Sequence, residues 1–418
     1  MTDANSFGAL RAPRHLLLGA GQRSALPDHV ARLGRRALLV TDARMEADAA
    51  FREMKEAIEA AGVAVVTFAR VEPELPLDCI RSGVAAGIGT DVVVGIGGGS
   101  CLDAAKVIAL LLAHGGEPSD YYGEYKVPGP VLPLVAVPTT AGTGSEVTPV
   151  AVLADPARAM KIGIASPYLI PEVAICDPDL TVTCPPSLTA VSGADALTHA
   201  IEAFTTLRRP TSGRLALDHV FVGKNALSDA LALEAIRLMA RSLEKAVNDG
   251  SDAAARADMM LGSTLAGLAF GVAGTAAAHA IQYPVGAITH TAHGLGVATL
   301  MPYVMTWNLP SCEAELAQVG TAMGLSDAGT VGERAQAAID ATAELFARIR
   351  IPATLAELGL RHDQISEVAR LALTAERLIK NNPRSLSPED MERLVAAAFD
   401  GRMSIHSNPA SISEAASA

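Results

Sequence analysis

Two side chains one helical turn apart are the first sign of chemistry. In Gly193-Ala-Asp-Ala-Leu-Thr-His-Ala-Ile-Glu-Ala203, Asp195 and His199 stand four residues apart in an otherwise apolar stretch, so a helix would put both on one face. Further on, the helical stretch 276–282 carries His279. After a Pro-Val-Gly break expected to end that helix, Ile288-Thr-His-Thr-Ala-His-Gly294 supplies His290 and His293. Any one of these histidines alone is more often a satisfied core residue than a ligand. Together, a carboxylate and several imidazoles inside alanine-rich helices need compensation for so much buried polarity, and a divalent cation supplies it. One carboxylate with three imidazoles suits Fe2+ or Zn2+, and ligand type admits both. Such a metal polarises an alcohol and lowers its pKa, which lets hydride leave the carbinol carbon for a nicotinamide.

Two polar loops offer a place for that nicotinamide. Val92-Val-Val-Gly-Ile-Gly-Gly-Gly-Ser100 runs from a buried strand directly into a helix, placing glycine N–H groups and a hydroxyl where a pyrophosphate would sit. It departs from the dinucleotide fingerprint, because Gly95-x-Gly97-x-x-Ser100 ends in serine, and a tight turn would look the same. Pro138-Thr-Thr-Ala-Gly-Thr-Gly-Ser-Glu146 then follows the next apolar strand, at the end where open α/β sheets bind ligands. Asp42 ends an earlier strand. A carboxylate there can accept from an adenosine ribose and would repel a 2′-phosphate, although an aspartate that merely starts a turn fits as well. If it contacts the ribose, NAD is preferred over NADP.

Positioning these residues requires two kinds of architecture. Strand-like runs at 37–41, 63–68, 91–96 and 133–137 alternate with helical stretches at 47–61, 77–86 and 101–112, which predicts a Rossmann-like parallel sheet. Strands then become scarce. Beyond Pro185-Pro186, helical periodicity dominates at 226–247, 253–270, 333–349 and 387–399. The expected division is a dinucleotide-binding α/β domain over 1–186 and an all-helical, metal-binding catalytic domain over 187–418, with 403–418 as a loosely held tail.

Composition narrows the function classes. Half of the 418 residues are hydrophobic and 19% are charged, which excludes disorder. A formal net charge of -12 gives no drive toward nucleic acid. The five cysteines are scattered, without zinc-knuckle or thioredoxin spacing, and are expected as reduced thiols in a cytoplasmic protein. Residues 1–13 show no signal core, and the longest apolar run, 107–113, is far short of the roughly 20 residues of a membrane span. Apolar helices with few charges also lead us to expect a homo-oligomer.

Several motifs in order carry a resemblance. Gly97-Gly-Gly-Ser-Cys-Leu-Asp-Ala-Ala-Lys106, the 138–146 loop, Ile175-Cys-Asp-Pro178, Asp195-Ala-Leu-Thr-His-Ala-Ile-Glu202, His293-Gly294 and Asn382-Pro-Arg384 resemble the iron-containing (group III) alcohol dehydrogenase family, whose fold is similar to that of dehydroquinate synthase and glycerol dehydrogenase. The likeness spans nearly the whole chain. It implies metal ligands Asp195, His199, His279 and His293, with His290 a neighbour. For NAD it implies Asp42 at the ribose, Gly98, Gly99 and Ser100 at the pyrophosphate, Thr139, Thr140, Thr148 and Lys161 around the nicotinamide half, and Leu180 packing nearby. Two departures stand out. Many members carry another histidine four residues after the third ligand, discussed as a proton relay. Tyr283 stands there, and a phenol titrates near about 10, which makes it a poorer relay at neutral pH. Members also often have Pro-Asn-Pro where this chain has Pro73-Glu-Leu-Pro76.

The activity expected is reversible hydride transfer between a small alcohol and its aldehyde or ketone. A transhydrogenase that keeps NAD bound is the near alternative. A dehydroquinate-synthase-like lyase would need a basic cluster for a phosphorylated substrate, and segments 193–204 and 276–296 contain no Lys or Arg.

Overall fold

The computed structural model describes residues 7–155 and 161–404, so residues 405–418 of the expected tail lie outside the described residues. The described residues form two compact units. The first runs to Gly274 and takes in Ala322–Gly324; the second holds Thr275–Thr321 and the chain from Leu325 onward.

In the first unit, short runs rich in Val, Leu and Ile form β1 (His15–Leu18), β2 (Arg36–Val40), β3 (Ala64–Phe68), β4 (Val92–Gly97), β5 (Gly123–Glu124), β6 (Leu134–Pro138), β7 (Val150–Ala154), β8 (Lys161–Ala165) and β9 (Val173–Cys176). Six of them make one sheet in the order β1-β9-β6-β4-β2-β3, and every pairing in it is parallel. β4 is buried along its whole length, as a strand covered on both faces must be. The helices Ala49–Ala60, Leu77–Ala86 and Gly99–His114 fall where periodicity placed them. Strand order reverses at β2: β3 lies on one side of it and β4 on the other. The carboxyl ends of β2 and β4 therefore flank a topological switch point, the ligand crevice of open α/β sheets.

Strands are less scarce after residue 137 than composition suggested. β7 and β8 form an antiparallel hairpin within a separate sheet ordered β5-β8-β7, and β9 inserts between β1 and β6. β9 has only four residues, too few to display a period, and tertiary pairing decides its conformation.

The sheet ends at Cys176 and helices take over from Pro186, where composition changes. The compact unit nevertheless continues to Gly274. The helix Ala253–Ala273 packs back against the sheet, and Val147, Cys176, Met260 and Leu268 share one apolar cluster.

The second unit contains helices Ala277–Thr289, Val331–Arg348, Ile365–Leu373 and Pro388–Asp400. It also holds a run His293–Ala322 that is kinked at Cys312, where the backbone leaves helical angles. The break expected at Pro284 does not occur, because the helix continues through it to Thr289. A proline removes a single N–H donor, and the flanking turns hold the helix across it. Asn308 and Asn382 exchange amide hydrogen bonds at 3.0 and 2.7 Å, and the Arg384 guanidinium lies 3.8 Å over the Trp307 ring. The Asn382-Pro-Arg384 motif thus clamps one helix. No single helix among the described residues is long and apolar enough to cross a membrane.

Asp177 joins β9 to the turn after β1. Fully buried, it accepts hydrogen bonds from the Gly21 and Arg23 N–H groups, both at 3.1 Å, and from the Arg23 guanidinium at 2.8 Å. Asp177→Ala strands these donors and should lower folding stability by about 2–4 kcal/mol, measured by urea denaturation.

Candidate functional site

The crevice at the switch point brings the two expected cofactor loops together. Gly97 ends β4 with φ +152, and a Cβ there would lie 2.6 Å from Cys101 Sγ, so only glycine fits this strand-to-helix turn. The following helix, Gly99–His114, has Gly98 as its N-cap, with no side chain capping its first N–H groups, the arrangement that an anion site uses. Gly98, Gly99 and Ser100 are each partly accessible. A Cβ on Gly98 would stand 3.6 Å from the Thr140 hydroxyl, and Thr139 N–H donates to the Gly97 carbonyl at 3.0 Å. Thr140 is partly accessible, whereas Thr139 is wholly buried and forms the floor beneath it.

Asp42 follows β2 and starts the turn that sequence reading also allowed for it. One carboxylate oxygen accepts from Met45 N–H at 2.8 Å and caps a short helix, while the other lies 3.6 Å from Cys101 Sγ, at the foot of the glycine-rich helix. Leu180 is buried within the apolar cluster that underlies β2 and β4.

Two residues that motif reading left without a role organise this crevice. Lys106 is wholly buried and donates to the Thr148 carbonyl at 2.9 Å, the Thr148 hydroxyl at 3.2 Å and the Val150 carbonyl at 2.8 Å. Asp103, one turn earlier, accepts from Ser145 Oγ at 2.6 Å and Val152 N–H at 2.9 Å. The helix that starts at the glycine-rich turn thereby grips the segment 145–152 that bears Thr148. A lysine and an aspartate inside an apolar helix were the available sequence signal. Burial pushes Lys106 down to about 8, although the charges of Asp103 and Glu146 pull the other way. Lys161 opens β8 and forms an ion pair with Glu74.

Asp195 and His199 lie in the first unit, His279 and His293 in the second, and all but His293 are buried. In the first unit, Asp195 and His199 lie on the helix Pro186–Thr205, 3% and 5% exposed, with Oδ1 and Nε2 4.0 Å apart. That exceeds a hydrogen bond and keeps both donor atoms within reach of one cation. The His199 ring stacks on Phe270 at 4.3 Å, which holds the imidazole in one orientation. In the second unit, His279 is buried on the helix Ala277–Thr289, and its ring lies 5.4 Å from that of His293, the first residue of the next helix. Tyr283 follows His279 by one turn, its ring 6.2 Å from His293. His290 is exposed, with φ +56, and ends its helix. Beside Tyr283, buried Gln282 presses its amide against Gly296, where a Cβ would stand 1.7 Å from Oε1. Motif reading had not singled out Gln282.

The family described as "Iron-containing alcohol dehydrogenase" matches residues 13–178, and "Fe-containing alcohol dehydrogenase family, C-terminal" matches 189–399. Long-chain-alcohol dehydrogenase 1 of Geobacillus thermodenitrificans (strain NG80-2) is 38% identical over 92% of this chain and 95% of its own length. NAD-dependent methanol dehydrogenase of Bacillus methanolicus is 33% identical over 93% of this chain and 98% of its own. Among solved structures, a 1,3-propanediol oxidoreductase superposes with a TM-score of 0.88 at 34% identity, covering 94% of this chain and 100% of that one.

The lowered Lys106 value makes a signed prediction. Between about 8 and its ordinary 10.5, the unfolded chain holds a proton that the folded chain has released, so Lys106 makes stability rise with pH across that window. Urea midpoints at about pH 7.5 and about pH 9.5 should show this rise in the parent and lose it in Lys106→Met.

Proposed function

This chain belongs to the iron-containing alcohol dehydrogenase family and is an oxidoreductase acting on small-molecule alcohols, and from that premise we propose that it uses NAD and one divalent metal, Fe2+ ahead of Zn2+. Asp195, His199, His279 and His293 are the proposed ligands. The observation that carries this reading is the buried Asp195–His199 pair on an otherwise apolar helix, a polarity that a cation would compensate. The order of the family's motifs supports drawing the second pair, His279 and His293, into the same site. Residues 1–186 would then bind the dinucleotide and 187–418 the metal, in keeping with the gap between the two family matches at 178 and 189.

When bound, the metal supplies Lewis acidity toward an alcohol oxygen and NAD accepts the hydride. The chain's own residues do the positioning. Asp42 accepts from the adenosine ribose, the Gly98, Gly99 and Ser100 turn receives the pyrophosphate, and Thr140, Thr148 and Lys161 line the nicotinamide half above Thr139 and Leu180. Phe270 and the surrounding alanine-rich helix exclude water from Asp195 and His199. Tyr283 donates a hydrogen bond from its phenol at the position where many members carry a histidine. Reversible interconversion of an alcohol with its aldehyde or ketone follows.

His279→Ala should lose bound metal and activity together, measured by elemental analysis and NADH absorbance, whereas Tyr283→Phe should keep its metal and lose turnover alone. A metal-free, active His279→Ala enzyme would overturn the ligand assignment. Asp42→Ser retains a helix-capping oxygen but removes the charge, and should raise kcat/KM for NADP by about tenfold or more relative to NAD.

A further inference from the structure

The segment 71–76 follows β3 at the sheet edge where Asp42 stands, and Val71 N–H donates to the Thr41 carbonyl at 3.2 Å. Within it, Glu74 and Leu75 have φ of +65 and +54, two consecutive left-handed residues without a glycine. L side chains rarely adopt this conformation, and it persists only where the surroundings over-determine it. Here they do. Leu75 is 1% exposed in the core, and its carbonyl accepts from Ala154 N–H at 3.2 Å. Pro76 forms a parallel bridge with Ala154, which in turn pairs with Lys161 across the β7–β8 hairpin. The strained turn is therefore stitched to the hairpin, and it delivers the Glu74 carboxylate to the Lys161 ammonium.

Exposure separates the two partners. The Lys161 side chain is 16% exposed and the Glu74 side chain 47%. A pair with one wet partner adds little to stability, so the buried Leu75 and the bridge at Pro76, rather than the ion pair, hold the turn. The effect of the pair falls on the ammonium. A lysine on a flexible four-carbon stem loses much freedom when it must hold one position, and a carboxylate set on a rigid turn imposes that position in advance.

We propose that Glu74 is a positioning residue that holds the Lys161 ammonium at the nicotinamide half of the cofactor. The inference rests on the assignment of Lys161 to that half made above. Carboxylate contact occupies part of the ammonium's donor capacity and leaves the remaining N–H groups for the cofactor's hydroxyl or carboxamide oxygens. Glu74 acts on the cofactor only through Lys161.

Glycine accepts a φ near +65 without penalty, so Glu74→Gly removes the carboxylate while relieving the turn. NADH binding followed by fluorescence titration, steady-state kinetics and Tm should be compared for Glu74→Gly, Lys161→Ala and the double variant. Glu74→Gly should raise Kd for NADH and KM for NAD by about tenfold, the worth of one charge-assisted hydrogen bond, with kcat within about twofold and Tm not reduced. The double variant should bind NADH no more weakly than Lys161→Ala alone, because the two residues act in series. Unchanged binding in Glu74→Gly beside weakened binding in Lys161→Ala would overturn the positioning role and leave the assignment of Lys161 standing. Unchanged binding in Lys161→Ala would instead remove that assignment, and the inference with it. Fully additive losses would mean that Glu74 acts elsewhere and would also reject the proposal. If Glu74→Gly lowers Tm, Glu74→Gln, which keeps the side chain's size, is read by the same criteria.

Discussion

One buried ammonium ties together two loops of the first unit. Lys106 lies wholly inside the first unit and spends its donors on two carbonyls and a hydroxyl of the segment that bears Thr148. Asp103 holds the same segment from one turn away. Because both belong to the helix that begins at Gly99, the glycine-rich turn and the segment bearing Thr148 are tied to one element. A buried charge is tolerable only when its hydrogen-bonding capacity is met, so the segment cannot shift without stranding the lysine. The crevice is thus preorganised by a buried hydrogen-bonded charge.

Polarity inside apolar helices is the common device of the chain. The helix Pro186–Thr205 buries Asp195, His199 and Glu202 among alanine, leucine and isoleucine, and Phe270 fixes one imidazole by stacking. In the second unit, His279, Gln282 and Tyr283 follow one another along a helix that runs unbroken through Pro284. Gln282 fits only because Gly296 has no side chain. The amide and the phenol are neighbours on that helix.

Edges of the parallel sheet carry the remaining chemistry. The reversal of strand order at β2 puts Asp42 and the glycine turn side by side, and the short second sheet brings Lys161 to Glu74. Neither juxtaposition involves residues close in sequence. The first arises because parallel strands present their carboxyl ends to one edge, where loops from distant segments meet. The second arises because the antiparallel β7–β8 hairpin sets Lys161 opposite Ala154, to which the turn after β3 is bridged.

Much of this was legible beforehand. Periodicity placed the helices at 77–86 and 253–270 almost to the residue, since a long amphipathic or apolar run leaves the chain few alternatives. The four-residue spacing of Asp195 and His199 determined a shared face, because helical geometry is local. Glycine-rich turns after apolar strands were readable for the same reason. What remained hidden depended on distant partners. β9 is too short to announce itself without β1 and β6, and the first compact unit extends to Gly274 because a helix packs back on the sheet. The grip of Lys106 on Thr148, the pairing of Glu74 with Lys161 and the room that Gly296 leaves for Gln282 likewise appear only once the chain is folded. Local spacing determined which residues could do chemistry, whereas long-range packing decided which of them are held still, since only contacts across the fold can restrain a side chain that its own backbone leaves free to rotate.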